Sequence, residues 1–339
     1  MNFSRIILGG CLALWLILPA CNPSDHKVAP GQNTEPMPIP SSVSQSAANL
    51  QSGLTSHFRQ WLNNNGYGSY DFARLSLDGG SYGGRQNNSD AVNNQPVIFI
   101  HGNSDKAFGS SSGQTGWTNS ISYFLQNGYK QSEIYAITWG PANASLAAQQ
   151  YHSKSHIQRI RAFIQAVKAY TGQSKVDVIA HSMGVTLSRK AIKGGSGNDL
   201  LNGGNYYLGG ALTNSIDTFV GIAGANWGLT NCVGLAATPT CGSSNGFYPG
   251  TYNVFFGLVG LSDILSDLNS SGGYEGRHVY TIWTSADQVV GYGCIVWGRN
   301  TCKIPGQDGQ KSFSSLGHFG VKDNTAYYQL RMVKYHRTN

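Results

Sequence analysis

The chain has 339 residues, of which 12% are charged, and a formal net charge of +7. That length is enough for one large domain or two small ones, each with a full core. The Lys and Arg residues are scattered with no run of five or more, which excludes a nucleic-acid tract and leaves at most a mild attraction to anionic surfaces.

The N-terminus reads as a targeting segment. Arg5 supplies a positive start, and Ile6 to Leu18 is mostly apolar but short for a transmembrane helix. It ends in Leu18-Pro19-Ala20-Cys21, which resembles a bacterial lipobox, with Pro19 in place of the usual small residue. The expectation is a signal peptide over residues 1–20 and a lipid on Cys21 that anchors an exported protein to a membrane face; the alternative is an ordinary secretory signal cut after Ala20. Residues 21–48 are rich in Pro, Ser, Gln and Asn and read as a flexible tether. Residues 49–339 form the predicted folded domain.

Strand and helix signals then alternate. Val97 to Ile100 is a short apolar run, read as a buried strand. Trp117, Ile121, Phe124 and Leu125 recur at helical spacing and stop at Gly128. Glu133 to Thr138 reads as a second strand. Ile157, Ile160, Phe163, Ile164, Val167 and Tyr170 mark one face of a helix that stops at Gly172. A strand from Val176 to Ile179 leads through Ala180-His181-Ser182-Met183-Gly184 into a helix from Met183 to Ile192, closed by Gly194-Gly195. Phe219 to Ile222 and Val279 to Trp283 are further strands, and Asn324 to Lys334 is the last helix. Such alternation predicts an α/β fold, a mostly parallel central sheet with helices on both faces and sites at the carboxyl ends of the strands. An aromatic-rich insertion over about 226–275 follows a core strand. It reads equally well as a binding wall or flap and as a satellite core under a loop.

A strand ending in a small-x-Ser-x-Gly turn that opens a helix is the nucleophile elbow of α/β-hydrolases. The tight turn strains the Ser backbone and lifts its hydroxyl clear of the sheet. A serine needs a base and a group that orients the base, in the chain order Ser, acid, His. Downstream of Ser182 the histidines are His278, His318 and His336. His278 immediately precedes a strand, at the wrong end of the sheet. His336 lies next to the C-terminus and is expected to fray. His318, in a Gly-flanked loop before the last helix, is the expected base. Asp287, just past the carboxyl end of a strand, is the expected acid, ahead of Asp263, Asp267 and Asp308, which lack a preceding core strand. Asp177 and Asp217 come too early on their strands. The backbone amides of Met183 and Asn103 are the expected oxyanion donors. His101 and His181 read as residues that pack or brace; His181, a strand neighbour of the nucleophile, points the other way.

Cys11 leaves with the signal and Cys21 takes the lipid, so Cys232, Cys241, Cys294 and Cys302 remain, an even number in an exported chain. Short separations favour Cys232–Cys241 and Cys294–Cys302 among the three possible pairings. Zinc is the alternative, but no C-x-x-C pair or closely spaced His accompanies them. No metal and no cofactor is expected.

The runs Ile98-Phe99-Ile100-His101-Gly102-Asn103, Trp139-Gly140, Val176 to Gly184, Gly224-Ala225-Asn226, Ser285-Ala286-Asp287 and Gly317-His318 resemble the class 2 lipase family. This family includes nematode lipase-like proteins and lies near the small Bacillus lipases with their Ala-x-Ser-x-Gly elbow. An extracellular polyhydroxyalkanoate depolymerase with an Ala-His-Ser-Met-Gly elbow also lies near. The resemblance runs from about Phe72 to the C-terminus. It implies Ser182 as nucleophile, His318 as base then acid, Asp287 as its orienter, and Asn103 and Met183 as oxyanion donors. The insertion, the long N-terminal segment and the cysteines depart from the small Bacillus enzymes. The implied function is a secreted or surface-anchored carboxylic ester hydrolase (lipase or esterase) acting on a lipid or polyester substrate. The alternatives are a polyhydroxyalkanoate depolymerase and a non-catalytic surface-binding protein on the same fold.

Overall fold

The computed structural model describes residues 52–78, 80–235 and 237–339. The signal peptide, the tether and the lipidation call at Cys21 lie outside the described residues. Eight strands make one sheet: β1 (Gly53–Leu54), β2 (Tyr82–Gly83), β3 (Val97–Ile100), β4 (Ile134–Ile137), β5 (Val176–His181), β6 (Ile216–Ile222), β7 (His278–Thr284) and β8 (Gly309–Phe313). Their order is β1-β2-β4-β3-β5-β6-β7-β8. Every neighbouring pair runs parallel except β2 with β4.

The central strands are buried on both faces, as the unbroken apolar runs require. Along β3 the side chains alternate. Ile98 and Ile100 join one core cluster with Ile160, Phe163, Val185 and Leu187, and Val97 and Phe99 join the other with Ile121, Phe124, Leu330 and Val333. The first cluster takes the helices α1 (Ser56–Asn64), α3 (Lys154–Thr171) and α4 (Met183–Lys193); the second takes α2 (Thr118–Gln126) and α7 (Ala326–Tyr335), with α5 (Asp263–Asn269) and the short α6 (Gly320–Asp323) between them in the chain. Thr55 and Ser153 cap α1 and α3 by accepting from Phe58 N and His156 N. Gly172 ends α3 at φ 72°, a conformation glycine reaches at little cost. Phe99 and Phe163 are fully buried, so truncating either to Ala costs about 3–5 kcal/mol.

Where the sequence reading placed strands and helices, the structure has them, with boundaries moved by a few residues. It missed β1, β2, α1, α5, α6 and β8. Strand β8 reads Gly-Gln-Lys-Ser-Phe and pairs only with β7 at the sheet edge, so no apolar run marks it. The insertion divides. Cys232, Cys241, Phe247, Ile264, Leu265 and Leu268 join the core, whereas the antiparallel hairpin Pro249–Asn253/Gly257–Leu261 carries an exposed tip. The insertion is thus part main core, with no separate satellite core for these residues, and part exposed hairpin. The disulfides are Cys232–Cys241 and Cys294–Cys302, with Cα–Cα separations of 5.0 and 5.7 Å. Among the described residues no helix is long and apolar enough to cross a membrane.

Candidate active site

Ser182 follows directly on β5 and is the N-cap of α4, with φ 53° and ψ −128°. A non-glycine residue at positive φ is strained by the contact between its Cβ and backbone oxygen. The surroundings hold it there: Ser182 N donates to Ile222 O at 2.8 Å, and Val185 N reaches back to Ser182 O at 3.0 Å. The small residue at 184 is needed because a Cβ there would strike the His101 and Ile100 carbonyls. Since the first turn of a helix leaves its N–H groups without intrahelical partners, the Met183 amide is available for an oxygen at this end.

The loop after β3 lies against the elbow. A Cβ on Gly102 would sit 2.9 Å from Ser182 Cβ and 3.0 Å from His181 Nδ1. His101 stacks on Trp139 with ring centroids 4.9 Å apart. It accepts from Trp139 N at Nε2 and donates from Nδ1 to Gly102 O, while its carbonyl accepts from Trp139 Nε1. Burial lowers its pKa to about 4, so the ring is neutral at neutral pH and can accept at Nε2. The Asn103 side chain donates to Ala147 O at 2.9 Å.

Asp287 lies beyond the end of β7 and is fully buried. One carboxylate oxygen accepts from Val289 N at 2.9 Å and Val290 N at 2.8 Å. The other accepts from His318 Nδ1 at 2.7 Å, which leaves His318 Nε2 free of the proton in the neutral ring. His318 is nearly buried and is gripped at its backbone as well: its N donates to Gln288 Oε1 at 3.0 Å, and its carbonyl accepts from His181 Nε2 at 3.1 Å. The His181 and His318 rings lie 4.6 Å apart. The residue beside Ser182 in sequence therefore carries the His318 loop.

His181 thus braces the His318 loop, but its ring does not point clear of the site as expected: it lies 4.6 Å from the His318 ring and, like Ser182, faces Gly102. Burial, reinforced by His318 and Lys322, holds it well below the ordinary imidazole range. Neutral and donating from Nε2, it has an Nδ1 without a hydrogen-bond partner among the described residues.

Three supports escaped the sequence reading. Gln288, next to Asp287, accepts from the His318 amide. Lys322, on α6, pairs with Asp105 Oδ2 at 2.8 Å and also donates to Thr115 Oγ1 and Gly116 O. Both charges are buried, and the pair ties the loop after β3 to the helix after His318. Arg189, on α4, contacts Glu275 Oε1 at 2.8 Å, Asn226 Oδ1 at 3.0 Å, Asn269 Oδ1 at 3.1 Å and Leu268 O at 2.9 Å. Asn226 and Glu275 are the two ends of the insertion, so one guanidinium clasps both to the helix that starts at Ser182. Lone cations in loop or helix sequence give no signal of such partners.

The competing acids Asp308, Asp267, Asp177 and Asp217 are engaged elsewhere. Asp308 accepts from Val279 N, Asp267 pairs with Lys190 and Lys193, and Asp177 accepts from Gln95 and Thr218 at the amino end of β5. Burial raises Asp177 well above the usual carboxyl range. Asp217, His278 and His336 meet at that same amino end, their ligand atoms within 4.8 Å of one another. His336 is not frayed as expected: it stacks on His278 at 4.0 Å and contacts Asp217 Oδ2 at 3.1 Å. The two rings are within 24° of parallel. Their in-plane lone pairs therefore do not converge, and holding a metal would require one ring to turn. A hollow of about 220 Å³ lined by Tyr151, Leu200, Leu201, Pro239 and Asn245 shares no residue with the elbow constellation.

The family model for class 2 lipases matches residues 94–331, and the chain belongs to that family. Among solved structures it is similar to Aspergillus fumigatus lipase B, at 15% identity over 76% of this chain and 56% of that one, with a TM-score of 0.47. The mature form of the Bacillus licheniformis lipase BlEst2 is similar at 13% identity over 74% of this chain and 96% of that one, with a TM-score of 0.45. The chain thus spans little more than half the length of the Aspergillus lipase.

Proposed function

We propose that this protein is an exported serine hydrolase of carboxylic esters, a lipase or esterase. The observation that supports this reading is the strained Ser182 at the head of α4, whose sequence neighbour His181 donates to the carbonyl of His318, the partner of buried Asp287. In the proposed mechanism Ser182 Oγ attacks the ester carbonyl carbon while His318 Nε2 takes its proton. Asp287 fixes the ring and stabilises the imidazolium. The backbone amides of Asn103 and Met183 receive the developing oxyanion. Collapse of the tetrahedral intermediate breaks the carbon–oxygen bond, and His318 protonates the departing alcohol. Water then attacks the acyl-enzyme by the same route, releasing the acid and free Ser182.

The two disulfides support folding in an oxidising compartment. Export with a lipid on Cys21 is part of the proposal and rests on the Leu18-to-Cys21 pattern. Retention in the membrane fraction that a Cys21→Ala variant loses checks it.

The central test is a serine-reactive phosphonate followed by peptide mass spectrometry. An adduct on Ser182, absent in Ser182→Ala, together with turnover of p-nitrophenyl esters, is the expected result. A protein that takes up no phosphonate and turns over no ester is a binding module, and the proposal fails.

A further inference from the structure

From Thr218 to Ser262 the chain contains no Asp, Glu, Lys, Arg or His. Within that stretch the hairpin Pro249–Asn253/Gly257–Leu261 projects Val254, Phe255 and Phe256 at its tip, exposed to 81%, 86% and 80%. Solvated loops seldom present two adjacent phenylalanines to water; a contiguous apolar projection of this sort marks an interaction site. The tip is also preformed. Asn253 Oδ1 accepts from Phe255 N at 2.8 Å and Phe256 N at 3.1 Å, closing an Asx turn that fixes both aromatic residues without a partner.

The hairpin is joined to the acid loop. Trp297 Nε1 donates to Gly250 O at 3.1 Å, and Trp297 with Tyr292, Ile295 and Val289 forms a second set of exposed apolar side chains. Val289 is the residue whose amide grips Asp287. The apolar rim therefore continues from the hairpin to the carboxyl end of β7, the end that carries the proposed chemistry.

We infer that this hairpin docks the enzyme on the uncharged surface of aggregated neutral acyl lipid. The inference rests on the ester-hydrolase reading for its choice of partner. Absence of charge over residues 218–262 favours a neutral lipid–water interface over an anionic membrane, which basic side chains would serve; exposed Arg299, on the turn that carries Trp297, is held over the Trp227 ring. With its backbone already turned, the tip supplies apolar area for the ordering cost of its side chains alone. The rim then holds the site at the surface, where an ester chain leaving the lipid phase meets Ser182.

The test compares the full chain with the double variant Phe255→Ser/Phe256→Ser, each also in a Ser182→Ala background. Adsorption is measured by flotation with triolein emulsion stabilised by phosphatidylcholine, and catalysis separately on p-nitrophenyl acetate in true solution. The expected result is that the double variant adsorbs at least about tenfold less, keeps its rate on the soluble ester, and shows the same adsorption loss when Ser182 is Ala. Adsorption of the parent should change less than twofold between 50 mM and 500 mM salt, as an uncharged contact requires. Equal adsorption of parent and variant overturns the inference. So does a parallel loss on the soluble ester, which would make the hairpin part of the site's architecture. Phe-dependent binding to polyhydroxybutyrate granules without binding to the emulsion, or Phe-dependent self-association in place of adsorption, overturns the lipid assignment. A parent that adsorbs through the two phenylalanines but hydrolyses neither ester leaves docking standing and sinks the hydrolase reading alone.

Discussion

The sheet carries an Asp–His pair at each end, and the two differ in everything but residue type. At the carboxyl end Asp287 is fully buried, two backbone amides hold one of its oxygens, and His318 holds the other at 2.7 Å. At the amino end Asp217 meets His336 at 3.1 Å with both side chains partly in water, shares its charge with Lys175, and has a second imidazole stacked alongside. The comparison teaches that an Asp beside a His need not have a fixed orientation, and the proposed mechanism needs one that the surroundings enforce. Backbone amides cannot swing away as side chains can, and a dry site strengthens each contact that water would screen.

The sharpest way to break this contrast is to neutralise both acids. Asp287→Asn should lower kcat on a soluble ester by about 10⁴-fold, because the amide no longer fixes the ring tautomer. Ser182→Ala should lower it at least as far without unfolding. Asp217→Asn should leave kcat within twofold. If the two Asp variants behave alike, burial and backbone donors are not what distinguish the ends.

Burial should set stability as it sets activity. Arg189→Met leaves the Glu275 charge enclosed without its partner and should cost about 3–5 kcal/mol in denaturant melts, whereas surface pairs are worth far less. A loss under 1 kcal/mol would show that water reaches this clasp. Gly102→Ala should lower kcat by about 10²-fold by pushing the loop after β3 off the elbow, with little change in melting temperature. An unchanged kcat would remove that loop from the oxyanion site.

The smallest expected effect carries a sign. Burial alone would raise the Asp217 carboxyl, but His336 and Lys175 outweigh it and hold it below its ordinary value. Its folded form therefore gives up the proton more readily than the unfolded chain. The stabilisation is present above about pH 4 and is lost as pH falls through the folded value. Between Asp217→Asn and the parent, a difference of about 0.2–1 kcal/mol at pH 7 should vanish in strong acid. A difference that persists there would mean packing, not charge.

How much of this the sequence disclosed follows from where the partners lie. Strands β3 to β7 are legible because burial on both faces leaves continuous apolar runs such as Val-Ile-Phe-Ile. The elbow is legible because its small residues are steric necessities, and the Asp287 and His318 positions because chain order narrows the choice. Strand β8 is hidden because an edge strand needs no apolar run. The Lys322–Asp105 and Arg189–Glu275 pairs are hidden because each joins segments far apart in the chain, and nothing local to a lone Lys or Arg announces a buried carboxylate. The stacked His278 and His336 are hidden for the same reason, which is why a C-terminal histidine expected to fray is instead held in place.

Because Arg189 grips residues 226 and 275 from a single helix, the chain between those two points begins and ends at fixed posts. Within it the parts that join the core are fixed as well, so the hairpin 249–261 is the part free to lengthen, shorten or change chemistry while the reactive groups keep their places. A hairpin grafted there should alter which surfaces the enzyme visits and leave bond-breaking as it was, so the fold separates choosing a substrate from cleaving it.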